Sequence, residues 1–323
     1  MNTIKIAATG LFNVEALFKW LGARFPIEVI DAEDYQKADF LLCDTLNDKH
    51  ENFKGVKILY TGENHHCDLN RFDYCLTHDY GESDRCHRFP YWQYGLLLSQ
   101  ESRHELTGGR RPLTVEELTA QNRDFCAFVS YNAAARKRVR FVKKLMARRK
   151  VSCGGPLMNN VGGPVEDKLG FCSGCLFTIA FENEAYPGYQ TEKIVHAFLA
   201  RSIPLYWGNQ KVEEEFNPKA FVHERHFRSE EEMIDYVLEL ADNPERVVAM
   251  LNEPVFRDPG VIEKAEVELE AFFRRIFERG PGAIQRTRGQ KIMAWLSNWY
   301  GHGFFRNLRR ISRKIRGKKN RYK

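Results

Sequence analysis

The sequence predicts an α/β protein in which two Rossmann-like parallel sheets face each other across a cleft. Short apolar runs alternate with helical segments through the first hundred residues, and a second alternation begins at Phe125. This pattern is typical of parallel sheets whose faces are covered by helices. A length of 323 residues is sufficient for two separate cores. Because ligands of open α/β sheets bind at the carboxyl ends of the strands, the cleft suits a reaction with two substrates.

The amino-terminal domain is predicted to span residues 1–115. It contains a helical pattern over residues 14–21 and four short apolar runs typical of buried strands, at residues 4–8, 27–30, 40–43 and 56–60. The stretch over residues 101–124 is polar and includes Gly108-Gly-Arg-Arg-Pro112. We interpret this stretch as the linker between the domains.

The carboxyl-terminal domain is predicted over residues 116–260, with the same alternation of strands and helices. The predicted strands are residues 125–130, 176–181, 203–207 and 221–222. The predicted helices are residues 133–149, a helix from Thr191, and residues 230–240, with turn-rich segments at 151–155 and 159–163. Closing helices are predicted within residues 261–300, at 261–278 and 284–298, and a basic tail is predicted over residues 301–323.

Composition restricts the class of protein. No apolar run is long enough to cross a membrane, and the amino terminus has too short an apolar stretch for a signal peptide, so we expect a cytosolic chain. The net charge of +6 arises from basic residues at the carboxyl-terminal end of the chain. Residues 306–323 contain ten Lys or Arg and no acidic residue, which leaves 39 basic against 43 acidic side chains elsewhere.

Cys172 and Cys175 form the only CxxC pair among the eight cysteines. A zinc site would need a second pair or histidines at ligand spacing, and the sequence shows none. A redox pair would need exposure at the start of a helix. We therefore interpret the pair as reduced thiols at the edge of a buried strand.

The junction between the strand at 176–181 and the helix from Thr191 carries the densest set of polar groups. Thr191 is expected to cap this helix, which places a lysine in the first turn, where the helix dipole disfavours a cation. A bound diphosphate would explain the lysine. Isolated basic residues on helices are usually solvated, whereas clustering at a strand end favours a ligand site. The candidates for this site are Asn183, Tyr189, Glu192 and Lys193, with Arg138 of the preceding helix as a second phosphate contact.

In the amino-terminal half, Tyr60-Thr-Gly-Glu-Asn64 places Glu63 just past a predicted strand, at the expected cleft. A carboxylate in this position can act as a general base on an acceptor hydroxyl. The alternative is a carboxylate that only caps a turn. His65 and His66 follow, and a surface position is the simpler interpretation for both, with acceptor binding as the alternative.

Five segments, in order and spacing, resemble the α-1,3/4-fucosyltransferases, in particular the bacterial members (glycosyltransferase family 10). The resemblance covers roughly residues 56–255 and is weak before residue 56. The segments are Tyr60-Thr-Gly-Glu-Asn64, Phe125-Cys-Ala-Phe-Val-Ser-Tyr-Asn132, Phe181-Glu-Asn through Pro187-Gly-Tyr-Gln-Thr-Glu-Lys-Ile194, Ile203-Pro-Leu-Tyr-Trp-Gly208 and Phe216-Asn-Pro-Lys-Ala-Phe-Val222.

The resemblance implies a GT-B fold, a GDP-fucose donor, inversion at the anomeric carbon and no obligatory cofactor or divalent metal. The sequence agrees in having no Asp-x-Asp triplet. By the resemblance, Glu63 is the base, Arg138 and Lys193 contact the diphosphate, and Asn183 and Tyr189 are further donor contacts. Glu192 would face the sugar or ribose hydroxyls of the donor.

The basic tail has the pattern of an amphipathic helix at a membrane interface. Apolar residues recur at helical spacing at Phe304, Leu308, Ile311 and Ile315, and arginines and lysines occupy the other faces. We expect residues 301–323 to bind the anionic cytoplasmic face of the inner membrane. A solvated tail is the alternative, and nucleic-acid binding is not expected because no base-reading or stacking module accompanies the charge.

The prediction is therefore an inverting α-1,3(/4)-fucosyltransferase that acts on the N-acetylglucosamine of a lactosamine-type glycan in surface-polysaccharide synthesis. A transferase of this fold with another nucleotide sugar is one alternative. A non-catalytic membrane- or nucleic-acid-binding protein on the same fold is another. The sequence leaves the oligomeric state and the choice between α-1,3 and α-1,4 linkage open.

Overall fold

The computed structural model describes residues 3–11, 14–45, 49–81 and 83–282, without the side chain of Leu98. The predicted helix at residues 284–298 and the tail at 301–323 lie outside the described residues. The described part of the chain contains two sheets in which every pairing between named strands is parallel. The α/β class predicted from the alternating apolar runs is confirmed.

The first sheet has six strands in the order β2-β1-β3-β4-β5-β6. Its central strands consist of consecutive buried residues, as expected for strands covered on both faces. The strands are β1 (Ile4–Thr9), β2 (Ile27–Val29), β3 (Phe40–Cys43), β4 (Val56–Tyr60), β5 (Tyr74–Thr77) and β6 (Cys86–Arg88).

The second sheet has five strands in the order β11-β10-β9-β7-β8, which repeats the order of the first five strands. In both sheets the second strand is added on one side of the first strand and the third strand on the other side. Ligands of doubly wound sheets bind at such switch points. The strands are β7 (Asp124–Phe128), β8 (Val151–Cys153), β9 (Cys175–Phe181), β10 (Ile203–Trp207) and β11 (Val222–His223).

Ten α-helices connect and cover these sheets within the described residues. No helix among them is long and apolar enough to cross a bilayer. The helices are α1 (Glu15–Gly22), α2 (Tyr91–Leu98), α3 (Gln100–Leu106), α4 (Val115–Ala120), α5 (Arg136–Met146), α6 (Lys168–Ser173), α7 (Glu192–Leu199), α8 (Glu230–Ala241), α9 (Pro244–Leu251) and α10 (Val261–Arg279).

Helix α10 returns to the first sheet and completes its core. Leu269, Phe272 and Phe273 are buried in the same cluster as residues of α1 and of strands β1, β3, β4 and β5. Glu266 of α10 also accepts hydrogen bonds from Trp20 at 2.9 Å and from Arg103 at 2.7 Å. The predicted closing helix at 261–278 is thus present, and it packs on the amino-terminal sheet.

A further cluster joins the two halves. Trp92 and Leu96 of α2 are buried together with Ile194 and Phe198 of α7. Because α7 follows the polar junction after β9, this packing sets the position of that junction relative to the first sheet. The cleft geometry therefore depends on apolar contacts behind it.

Two sequence predictions are corrected, and two strands are added. The stretch at 101–124 is not a plain linker, since most of α3 and all of α4 lie within it and Thr114 caps α4 with a capping box. Residues 151–153, predicted as part of a turn-rich segment, form an edge strand, because their backbone pairs with β7. Strands β5 and β6 were not predicted, since short strands lack a clear period.

Candidate active site

A cavity of about 210 Å³ lies where the carboxyl ends of β1, β3 and β4 face the segment after β9. It joins Glu63 of the first sheet to four of the five predicted donor residues. Its lining consists of Gly10, Leu11, Asp44, Tyr60, Gly62, Glu63, Tyr91, Asn183, Tyr189, Thr191, Glu192 and Lys193. A larger cavity of about 700 Å³ lies around the linker, and none of the predicted site residues lines it.

Glu63 lies three residues past the end of β4 and is exposed. Its backbone N–H donates to the Thr61 hydroxyl at 3.1 Å, and its carbonyl accepts from the His65 N–H at 2.7 Å, so a tight turn orients the residue. Its carboxylate has no hydrogen-bond or ion-pair partner among the described residues. A carboxylate held in this way is free to accept a proton from a bound hydroxyl.

The wall beside Glu63 is formed by a tyrosine that packs on a glycine. A Cβ atom at Gly62 would lie 2.7 Å from the ring of Tyr91, so only glycine permits this approach. Burial raises the pKa of Tyr91, and the carboxylates of Glu192 and Glu63 act in the same direction. Tyr91 therefore lies between the two halves of the cleft and remains a neutral phenol.

His65 belongs to a small polar group at the end of β3. Its Nδ1 lies 2.6 Å from the Thr45 hydroxyl and 3.4 Å from Asp44 Oδ1. The hydrogen bond to Asp44 is the main cause of a raised pKa for His65. Asp44 lines the cavity and His65 does not, so His65 acts on the site only by its contact with the Asp44 carboxylate.

On the opposite wall, a fully buried carboxylate organises the segment after β9. Glu182 has no exposed surface and accepts hydrogen bonds from the Thr191 N–H at 2.7 Å, from the Thr191 hydroxyl at 2.7 Å and from Lys193 Nζ at 3.0 Å. Thr191 does occupy the N-cap position of α7, but its side chain makes no cap hydrogen bond. The expectation that Thr191 caps the helix is wrong, because Glu182 takes its hydroxyl.

Lys193 and Glu192 are both charged. Burial opposes the charge on Lys193, but Glu182 and Glu192 outweigh it and raise its pKa. Burial likewise opposes ionisation of Glu192, and Lys193 and Lys168 outweigh it and hold its pKa at about 2. The cleft thus presents one ammonium and one carboxylate on adjacent residues of the first turn of α7.

Arg138 lies behind this wall and is 2% exposed. Its guanidinium donates to the Phe181 carbonyl at 3.1 Å, to Asn183 Oδ1 at 3.0 Å and to the Asn132 carbonyl at 3.0 Å. Its Nε has no partner among the described residues. Arg138, the second predicted phosphate contact, thus lies beside Asn183 but is not among the residues that line the cavity.

Tyr189 is 2% exposed, and burial raises the pKa of its phenol. Its ring lies 5.2 Å from that of His78 in the first sheet. The preceding Gly188 has φ +87°, and a Cβ atom there would lie 2.0 Å from the His78 carbonyl oxygen. This close contact with the first sheet requires glycine, and it places Tyr189 at the cavity.

The sequence analysis did not identify Tyr91 and Asp44, which line the cavity, or Glu182 and Lys168, which act behind it. Glu182 was visible as a charged residue directly after an apolar strand, which is a signal for a buried partner. Lys168 of α6 lies with its Nζ 3.1 Å from His196 Nδ1 and gave no local signal, because α6 meets α7 only in the tertiary structure.

The cysteines are partly as expected. Cys172 and Cys175 are both buried and free, which confirms the interpretation of the CxxC pair as thiols, although Cys172 lies on α6. The sulfur atoms of Cys67 and Cys86 lie within bonding distance of each other, as in a disulfide. This pair was not predicted.

Comparison with protein families gives two matches in succession. A model described as the FucT N-terminal domain of alpha-(1,3)-fucosyltransferases matches residues 11–94. A model described as glycosyltransferase family 10 (fucosyltransferase), C-terminal, matches residues 118–252. Together the two matches cover more than half of the chain and both of its sheets.

Among curated proteins, the chain is similar to the alpha-(1,3)-fucosyltransferase FucT of Helicobacter pylori. The two are 32% identical over 222 residues, which is 61% of this chain and 46% of that protein. The protein R654 of Acanthamoeba polyphaga mimivirus is 25% identical over 68% of this chain and 37% of its own length. The chain thus spans less than half the length of these relatives.

Among solved structures, a crystal structure of an alpha1,3-fucosyltransferase superposes with a TM-score of 0.71 and 27% identity, over 85% of this chain and 90% of that one. A crystal structure of an alpha1,3-fucosyltransferase with GDP-fucose superposes with a TM-score of 0.69 and 25% identity, again over 85% of this chain and 90% of that one. The Anabaena protein HepE, at 9% identity and a TM-score of 0.52 over 85% of this chain and 99% of that one, agrees in fold alone. The two facing sheets thus form the GT-B fold, and the chain belongs to glycosyltransferase family 10, the fucosyltransferase family.

Proposed function

We propose that the protein is an inverting α-1,3(/4)-fucosyltransferase that uses GDP-β-L-fucose. The observation that carries this proposal is the cavity shared by both sheets, with Glu63 on one wall and Glu192 and Lys193 on the other. An unpaired carboxylate opposite a cationic group is what a metal-free transfer from a nucleoside diphosphate requires. The acceptor we propose is the N-acetylglucosamine of a lactosamine-type glycan.

In the proposed reaction, Glu63 takes the proton from an acceptor hydroxyl while that oxygen attacks the anomeric carbon of fucose. The bond from this carbon to the diphosphate oxygen breaks on the opposite side, so the configuration inverts and GDP leaves with the bonding electrons. The transition state has oxocarbenium character, as in glycoside cleavage. The free carboxylate of Glu63 supports its role as the base.

Lys193 is the proposed contact to the departing diphosphate. Two of its three N–H groups are directed to Glu182 and Thr191, which leaves one for a phosphate oxygen at the cavity. Arg138 retains an unpartnered Nε beside Asn183 and adds positive charge to the same wall. The buried Glu182 fixes the ammonium in place before the donor binds, so little reorganisation is needed.

Replacing the base tests the mechanism. Glu63→Gln keeps the shape of the side chain and removes its basicity, so we expect turnover to fall by about a hundredfold or more. GDP affinity, measured by calorimetry, is expected to stay unchanged because Glu63 lies on the acceptor wall. Turnover within tenfold of the wild type would contradict the assignment.

Replacing the diphosphate contact tests the donor site. Lys193→Ala removes a charge-assisted hydrogen bond, and we expect the Kd for GDP to rise by about tenfold or more. Lys143→Ala, an exposed lysine of α5 far from the cavity lining, serves as the matched control. An unchanged Kd for Lys193→Ala would show that this lysine does not contact the diphosphate.

The substrates are tested by mass spectrometry of reactions that contain type 1 or type 2 lactosamine disaccharide with GDP-fucose, GDP-mannose or UDP-glucose. We expect a mass increase of one deoxyhexose with GDP-fucose alone, and the two disaccharides report the linkage. Transfer from another donor would support the alternative transferase. No transfer from any donor would support a non-catalytic protein.

We also propose that residues 301–323 bind an anionic membrane surface, which would place the enzyme at the cytoplasmic face of the inner membrane. The support is the sequence pattern of apolar and basic residues described above. Cosedimentation with phosphatidylglycerol vesicles should retain the full chain and lose a variant that ends at residue 300. Equal partitioning of both proteins would refute membrane binding.

A further inference from the structure

Two histidines and an aspartate converge beside the candidate active site without a role in the proposed reaction. His66 lies three residues after Glu63, and His78 and Asp79 follow β5. His66 Nδ1 is 2.9 Å from Asp79 Oδ1, and His78 Nε2 is 3.9 Å from the same oxygen. One ligand atom of each residue lies within 4.8 Å of the other two.

The carboxylate of Asp79 is oriented by its second oxygen. Asp79 Oδ2 accepts the Cys67 N–H at 2.7 Å and the Thr77 hydroxyl at 3.2 Å. These hydrogen bonds leave Oδ1 directed at the two imidazoles. Outer hydrogen bonds of this kind hold the ligands of metal sites in position.

His78 provides an independent observation. Its side chain is 3% exposed, yet Nε2 has no hydrogen-bond partner among the described residues. A buried polar nitrogen without a partner is costly, so such atoms are usually matched by a ligand, an ion or water. The unpartnered nitrogen lies 3.9 Å from Asp79 Oδ1, the oxygen that His66 also contacts.

The distances suit a metal ion. Zinc bonds nitrogen and carboxylate oxygen at about 2.0–2.2 Å, so neighbouring ligands of a tetrahedral site are about 3.3–3.5 Å apart. The observed 2.9 Å and 3.9 Å lie on either side of this range, and small side-chain rotations would close the difference. We propose that His66, His78 and Asp79 bind a divalent transition-metal cation of the zinc class, with one coordination position open.

Two other clusters of possible ligands are less suited. In the group of Glu213, His223 and His226, both imidazoles are already paired with Glu213 Oε1, at 2.7 Å and 2.6 Å. In the group of three cysteines, Cys67 and Cys86 are within bonding distance of each other. Neither cluster leaves a buried side-chain nitrogen or oxygen without a partner among the described residues.

The opposite wall of the cleft contacts this cluster through one aromatic ring. The ring of Tyr186, in the segment after β9, lies 4.2 Å from the ring of His66 and 5.6 Å from that of His78. Tyr186 thus covers the cluster from the donor side, three residues before Tyr189. A bound cation would therefore brace the segment that follows Glu63, and it lies apart from the proposed diphosphate contacts.

Metal titration of the full chain tests this proposal without an activity assay. Protein freed of metal by dialysis against a chelator is titrated with Co²⁺ and followed by absorption, and with Zn²⁺ by calorimetry. We expect one tightly bound equivalent with the d–d bands of a tetrahedral site and no sulfur-to-cobalt charge-transfer band. His66→Gln and His78→Phe should weaken binding by at least about a hundredfold, since loss of outer partners alone costs about 10–100-fold.

Matched variants distinguish the three clusters. His226→Gln alters an exposed histidine of the Glu213 group, and Cys86→Ser alters the cysteine group. Both should retain the bound equivalent. His66 is itself exposed, so His66→Gln is expected to fold even if His78→Phe does not. Absence of binding, loss of binding in His226→Gln or Cys86→Ser, or retention in His66→Gln would overturn the proposal.

Discussion

At the scale of the residue, the site depends on a carboxylate that touches no solvent. Glu182 is held by the N–H and hydroxyl of Thr191 and by Lys193, and these contacts satisfy both of its oxygens. The ammonium of Lys193 at the start of α7, which the helix dipole disfavours, is therefore stabilised by the buried carboxylate of Glu182. Its charge is preserved at the cavity, where Glu192 also lies.

Removing this buried charge should be costly. In Glu182→Gln the Lys193 ammonium loses its nearest counter-charge, and we expect the free energy of unfolding to fall by about 2–3 kcal/mol. Urea denaturation measures the change.

The control is an exposed ion pair of similar chemistry. Asp258 and Lys264 form a pair with side chains 46% and 69% exposed. Asp258→Asn should leave the free energy of unfolding nearly unchanged, because water screens an exposed ion pair. If both variants lose the same free energy of unfolding, then burial does not strengthen the Glu182–Lys193 ion pair.

At the scale of the element, β6 and α10 illustrate packing that no local pattern shows. His87 of β6 stacks on Phe272 of α10, with ring centres 5.3 Å apart. Burial, followed by the charges of Arg275 and Arg88, lowers the pKa of His87 to about 4. The folded protein therefore holds this histidine neutral at pH values where the unfolded chain protonates it.

This shift predicts a pH dependence of stability. The pKa of His87 is below its ordinary value of 6.5, so its neutral form stabilises the fold above pH 6.5, and stability is lost as pH falls toward 4. His87→Phe keeps the stack and removes the titration. Between pH 7 and pH 5, we expect the wild type to lose about 2 kcal/mol more stability than this variant.

Urea unfolding at both pH values measures the difference. His104→Gln changes an exposed histidine of α3 and should follow the wild type. If His87→Phe loses as much stability on acidification as the wild type, then His87 is not held neutral in the folded protein.

At the scale of the whole molecule, the two sheets meet at a contact that only glycine permits. Gly188 has a positive φ and lies against the backbone of His78, and Asn64 Nδ2 donates to Glu184 Oε2 at 2.7 Å across the same boundary. The segment that follows β9 and the segments that follow β4 and β5 are therefore positioned by each other. A small displacement here moves Tyr189 and α7 together.

Gly188→Ala should separate these walls. A Cβ atom 2.0 Å from the His78 carbonyl oxygen forces the segment to shift, and the left-handed conformation adds about 1–2 kcal/mol of strain. We expect GDP affinity, measured by calorimetry, to fall by about tenfold while far-UV circular dichroism is unchanged. Gly95→Ala in α2 meets no atom within 4 Å and should bind GDP normally. Wild-type affinity in Gly188→Ala would mean that the contact does not shape the donor site.

The sequence by itself determined the α/β class, the central strands and the start of α7, because consecutive apolar residues and a polar strand end are local signals. It also placed Glu63 and Asn183 just past strand ends, and Tyr189, Glu192 and Lys193 at the junction between a strand and the helix that follows, since apolar runs mark both strands. The resemblance to a family supplied the proposed roles.

The tertiary structure decided which of these groups share one cavity and which partners set their charge. Glu182 joins Lys193 within one junction, but Lys168, the His66–His78–Asp79 cluster and the return of α10 to the first sheet combine residues from separate elements. Such contacts depend on packing between helices and sheets far apart in the chain. No period or spacing encodes them, and for that reason they became visible only in the folded molecule.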